Sequence, residues 1–109
     1  MPAPRAAVQA APSRARRCGW LHNPTPGNWW MVDREREWVL GVQGGRQAAG
    51  MDDLPDMSGA GWVETNGHYG YGCACATITA DPSGEVKAVA GFEARPLRAC
   101  RADKALPRP

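Results

Sequence analysis

Tyr69-Gly-Tyr-Gly-Cys-Ala-Cys-Ala-Thr-Ile-Thr-Ala80 alternates along its length. Successive side chains of an extended chain point to opposite faces. Tyr69, Tyr71, Cys73, Cys75, Thr77 and Thr79 therefore share one face, and Ala74, Ala76 and Ile78 the other. Asp81-Pro-Ser-Gly84 follows, with Asp, Pro and Gly at the first, second and fourth positions that a type I turn favours. Glu85-Val-Lys-Ala-Val-Ala-Gly-Phe-Glu93 then returns as a partner strand. Residues 69–93 thus predict an antiparallel hairpin, and a chain built on it belongs to the mainly β class.

Working back from that hairpin, Trp62-Val-Glu-Thr65 is a short strand or the lead-in to one. Residues 46–61 hold Gly50, Pro55, Gly59 and Gly61 with Asp52, Asp53 and Asp56, and are expected to form the most mobile loop. Trp29-Trp-Met-Val-Asp33 and Glu37-Trp-Val-Leu-Gly-Val-Gln43 form another pair of strands around a polar connection. Adjacent Trp29 and Trp30 must point to opposite faces, so one meets the core and the other needs a cover or a partner. Asn23-Pro-Thr-Pro-Gly-Asn28 is a dense turn signal, and the ordered domain is expected to open at Cys18-Gly-Trp-Leu21. Residues 1–17 read as a disordered basic Ala/Pro/Arg tail. After Pro96, residues 97–106 suit one or two helical turns. The expectation is a small antiparallel sheet or partly open barrel of four to five strands over residues 18–109, with two disulfides and a short C-terminal helical turn.

Composition narrows the class of molecule. With 109 residues, 13 of them Gly and 10 Pro, the chain is a single domain with a small core. A core of that size often needs a covalent staple. Four arginines and no acids lie in residues 1–17, which leaves nine basic against eleven acidic side chains in the remainder. A mildly acidic domain is the wrong sign for a nucleic-acid partner. No window is long and apolar enough for a membrane span. Met1 is not followed by the apolar run of a signal peptide. Yet Val8-Gln-Ala10 before Ala11-Pro12 has the small-x-small form of a signal-peptidase site, so a longer precursor with its apolar segment upstream is expected.

Four cysteines in a short chain fit two disulfides in an oxidising compartment. Cys73 and Cys75, two apart on one strand, are poorly placed to bond each other, so each needs Cys18 or Cys100. Spacing leaves two patterns: Cys73–Cys100 with Cys18–Cys75, or the swap. An alternative is a small Zn or Cu site on Cys73, Cys75 and His68, although C-x-C is a weak zinc signal. No cofactor is expected. His68 sits in a glycine-flanked turn, where it either orders Asn66-Gly67 or serves a binding site with Tyr69 and Tyr71. Five tryptophans are many for one small core. Trp20, Trp38 and one of Trp29 or Trp30 are the core candidates; the remainder pack under the 46–61 loop or form an aromatic surface for glycan or protein. No catalytic residues are assigned: nucleophile-elbow, zinc-protease and phosphate-loop motifs are missing, and Glu64 alone is a candidate for glycan hydrolysis.

Cys18-Gly-Trp-Leu21, Asn23-Pro-Thr-Pro26, Asn28-Trp-Trp30, Gly41-Val-Gln-Gly44, the run from Trp62 to Cys75, and Cys100-Arg-Ala-Asp-Lys-Ala-Leu106 resemble a family of small exported bacterial proteins of unknown function, domain of unknown function family 4087. The resemblance implies a cleaved signal, these four cysteines, and export to the periplasm of a Gram-negative bacterium. It implies no activity. The leading expectation is a non-enzymatic periplasmic or secreted module binding an envelope ligand or protein, its surface near Asn66, His68, Tyr69, Tyr71 and an exposed tryptophan, taken as Trp29. The small metal-binding protein and the cell-wall glycan enzyme are the alternatives.

Overall fold

A computed structural model describes residues 12–109, the side chain of Ala60 apart. Six strands and one short helix follow in the order β1 (Ser13–Thr25), β2 (Asn28–Val32), β3 (Glu37–Gly41), β4 (Val63–Asn66), β5 (Tyr69–Ala80), β6 (Val86–Arg95) and α1 (Leu97–Arg101). The strands form one antiparallel sheet in the order β3-β2-β1-β5-β4, with β6 also paired to β5. β5 lies along β1 on one side. Its other edge is shared by β4, opposite residues 69–71, and β6, opposite residues 73–80. The β5–β6 hairpin is the one its alternation and Asp-Pro-Ser-Gly turn predict.

The sheet has six strands rather than four or five, and the added one is central. β1 starts at Ser13, five residues ahead of the expected boundary; the rest of the expected tail, residues 1–11, lies outside the described residues. Nothing in Ser-Arg-Ala-Arg-Arg has β propensity. Its backbone is nevertheless laddered against β5, from Ser13 opposite Ala80 to Cys18 opposite Cys75. Tertiary pairing overrides a weak local preference here.

Arg17 explains why this segment faces inward. Its guanidinium donates to Asp33 Oδ2 at 2.9 Å and lies 4.0 Å from the centre of the Trp38 ring, with Arg36 over the same ring at 4.4 Å. Asp33 is buried, and its Oδ1 accepts the backbone N–H groups of Glu35 at 2.9 Å and Arg36 at 3.0 Å, closing the β2–β3 turn. Burial works to raise the Asp33 pKa, but the hydrogen bonds from Arg36, Arg17 and Glu35 outweigh it and hold the carboxylate below its usual range. Among the described residues, the Arg17 Nε and the Trp38 indole N–H have no hydrogen-bond partner. Trp38 therefore works through its ring face.

One face of the sheet carries the main core: Leu21, Met31, Trp38, Leu40, Ile78 and Val86 among others. The 46–61 loop closes it. Its first residues bridge the two free edges: Ala48 N–H donates to Leu40 C=O (2.8 Å), while Ala49 bonds Lys87 C=O (3.0 Å) and Val89 N–H (2.8 Å) of β6. Ala48, Met51 and Met57 are buried. The stretch expected to be most mobile is thus a packed lid, because three apolar anchors are spaced through its glycines and aspartates. Gly50 has φ +91°, and a Cβ there would strike the Val89 carbonyl, so the lid needs glycine at that point.

The opposite face is half covered. Trp20, Cys73 and Cys100 form a second buried cluster, capped by Leu97, Ala99 and Leu106 of the C-terminal segment. The Trp20 indole N–H donates to Pro107 C=O at 2.9 Å. Trp20 and Trp38 are the two fully buried tryptophans.

Candidate functional site: an aromatic row across the sheet

The next row of side chains on that second face lies beside the Trp20 cluster, with Tyr71 packed against it. Cross-strand register sets the row. Val63 lies opposite Tyr71, Tyr71 opposite His22, His22 opposite Trp30, and Trp30 opposite Val39, on β4, β5, β1, β2 and β3 in turn. Neighbouring strands are about 4.8 Å apart, so directly opposed rings meet. His22 and Trp30 stack with centroids 5.7 Å apart and planes 23° from parallel. His22 and Tyr71 meet at 5.6 Å with a 39° tilt, and Tyr71 packs edge-on against buried Trp20 at 5.5 Å. The three rings are half-buried and Val39 is 44% exposed.

The row carries no charge of its own at neutral pH. Burial lowers the His22 pKa from its ordinary value, so the imidazole is neutral, with one nitrogen donating and one accepting. Among the described residues, no protein group hydrogen-bonds the Tyr71 hydroxyl, the His22 ring or the Trp30 indole N–H; the indoles of Trp20 and Trp62 both have carbonyl partners. The polar edges of the row are therefore available to another molecule. On the side of the two bordering turns, the next side chains are also uncharged. Asn28 donates to the Thr25 hydroxyl at 2.6 Å, and Asn66 reaches the Pro24 carbonyl at 3.4 Å, tying together the two turns that border the row.

Of the expected binding residues, Tyr71 lies in the row. Tyr69 is half-buried one pair further along the same face of β5. His68 is exposed in the β4–β5 turn, tilted against Tyr69 at 4.2 Å, and its carbonyl accepts the Trp62 indole N–H at 2.9 Å. Asn66 is exposed at the end of β4. Trp29 and Trp30 are both half-buried on opposite faces: Trp29 packs against the main core, beside Ala48, Met51 and Leu54 of the lid, and Trp30 lies in the row. His22 and Trp30 are not among the expected binding residues. Both follow once β1 is read as a strand, because Cys18, Trp20 and His22 then share a face.

Cys18 is joined to Cys75, its direct cross-strand partner, with Cα atoms 4.0 Å apart. Cys73 is joined to Cys100, with Cα atoms 5.8 Å apart, which anchors α1. Both thiols of the metal alternative on Cys73, Cys75 and His68 are therefore consumed, and no group of three or more candidate metal ligands converges among the described residues. Glu64 is exposed on β4 opposite Gly70. A cleft of about 570 Å³ lies between β3 and the β5–β6 turn and touches the row only at Val39. Arg46 reaches across it to the Glu85 carboxylate at 2.7 Å and the Val86 carbonyl at 2.7 Å, so its floor is already engaged.

A family model described as "Protein of unknown function (DUF4087)" matches residues 12–107. No curated protein and no solved structure matches the chain.

Proposed function

The chain belongs to that family of proteins of unknown function, and from that footing we propose that it is a non-enzymatic binding module of an extracytoplasmic compartment, the periplasm or the cell exterior, acting through the Tyr71–His22–Trp30 row. One observation carries the reading. The C-terminal segment caps the Trp20 cluster on this face, while the adjacent aromatic row is only half-buried, with three polar edges unpaired among the described residues. A purely structural row would be expected to lie under the same cover. Half-exposed rings with polar tips suit recognition, being apolar in body and wet at one end. The two disulfides fit an oxidising compartment. Among the described residues, no helix is long and apolar enough to cross a membrane.

The test is co-sedimentation of the oxidised protein with a Gram-negative envelope fraction. Trp30→Ala and His22→Ala are expected to lose retention while remaining folded by circular dichroism. Glu64→Gln is expected to keep it. Retention unchanged in both row variants, or lost in Glu64→Gln alone, would contradict the reading.

A further inference from the structure

Resting on that binding reading, we infer that the row takes an uncharged pyranose chain lying across the strands. The argument is one of chemical fit. Val63, Tyr71, His22, Trp30 and Val39 contain no formal charge while His22 is neutral. The flanking turns add only uncharged side chains, Asn28, Thr25 and Asn66, already bonded within and between those turns. In cross-strand register the neighbouring row on this face carries Glu37, opposite Val32, at one end and Arg95, opposite Cys73, at the other, so charge of both signs lies outside the row. A phosphate polymer or acidic peptide would find no cation in the row, and a basic one would find no carboxylate there. A sugar chain needs neither. Its C–H faces pack on aromatic rings, and its hydroxyls bond to groups that both donate and accept, as the Tyr71 hydroxyl and neutral imidazole do. Val39 is shorter than the indole beside it, so the row steps down next to Trp30 and leaves the outer part of that ring for a sugar face. His22 stacks on the other side of Trp30, so the row offers one sugar face on Trp30 and hydrogen-bonding edges at His22 and Tyr71 on the next strands, about 4.8 Å apart. A chain crossing the strands meets all three and a single sugar only part of them.

Two neutral probes test this, the N-acetylglucosamine tetramer and cellotetraose, with tetragalacturonate as the charged control, each titrated into ¹⁵N-labelled oxidised protein. At least one neutral tetramer is expected to give saturable shifts centred on Tyr71, His22 and Trp30. Trp30→Ala is expected to weaken that binding by about tenfold or more, and the monosaccharide to bind far more weakly than the tetramer. Shifts from neither neutral tetramer, or equal shifts from tetragalacturonate, overturn the inference. If deglycosylated envelope protein perturbs the row and neither tetramer does, the glycan assignment falls while the binding reading stands.

Discussion

Arg17 and Asp33 show how much a single residue can hide in a sequence. Arg17 reads as the last cation of a basic tail, and Asp33 as one more polar residue of a turn. Together they form a buried ion pair beneath Trp38. Arg17 also donates to the exposed Glu35 carboxylate at 3.0 Å, so it keeps a partner if Asp33 is lost, whereas losing Arg17 leaves Asp33 buried on backbone donors alone. Breaking a buried pair costs up to about 3–5 kcal/mol, and loss of Asp33 also removes the two turn hydrogen bonds. Asp33→Ala is therefore expected to lower the urea midpoint sharply, and Arg17→Met somewhat less, since its apolar stem still packs on the ring; equal midpoints for both variants and wild type would contradict the pairing. Because the folded Asp33 pKa lies below its unfolded value, its contribution is fully present above the unfolded carboxylate pKa and is lost as the pH falls through the folded one. His22 acts at milder acidity. Its folded pKa is lowered by burial, so the unfolded chain binds the proton more readily, and stability falls as the pH drops below about 6.5. Denaturant unfolding between pH 7 and 5 is expected to show that fall in wild type and a flatter profile in His22→Gln. Identical profiles would mean that the imidazole is not desolvated.

At the scale of elements, the β5–β6 hairpin was legible because its local signals agree: alternation, a type I turn and a returning apolar strand. The β2–β3 hairpin was legible for similar reasons. β1 was not, since its first half has charge instead of β propensity and its second half runs into Asn-Pro-Thr-Pro. Its strand identity comes from the two neighbours that ladder against it. Missing β1 hid half of the candidate site, because His22 and the orientation of Trp30 depend on it. The alternation of β5 is enough to place Tyr71 on the second face, whereas at Trp29-Trp30 alternation says that adjacent residues oppose each other but not which one faces in. The Cys73–Cys100 bridge gives another test at this scale. It anchors α1 and the segment that covers Trp20. A bridge closing a loop of this size contributes about 3–4 kcal/mol in the chain-entropy model. Cys73→Ala with Cys100→Ala is expected to lose about that much, to make the C-terminal segment susceptible to protease, and to shift Trp20 emission to the red; a resistant C-terminus would show that packing alone holds it.

Taken as a whole, the molecule sets two faces of one sheet to different uses. The first is sealed by the main core and the 46–61 lid, which also joins β3 to β6. The second is divided between a disulfide-anchored cover and the half-buried aromatic row. Everything proposed for the row depends on register, because a one-residue slip of a strand carries all its side chains to the other face. Slipping β2 by one would exchange Trp30 for Trp29. The direct test is a nuclear Overhauser spectrum of the oxidised protein with assigned aromatic protons. The account predicts contacts from the His22 ring to both Tyr71 and Trp30, with Trp29 contacting Met51 and Leu54 instead. Contacts from His22 to Trp29, or none from His22 to either Tyr71 or Trp30, would contradict it.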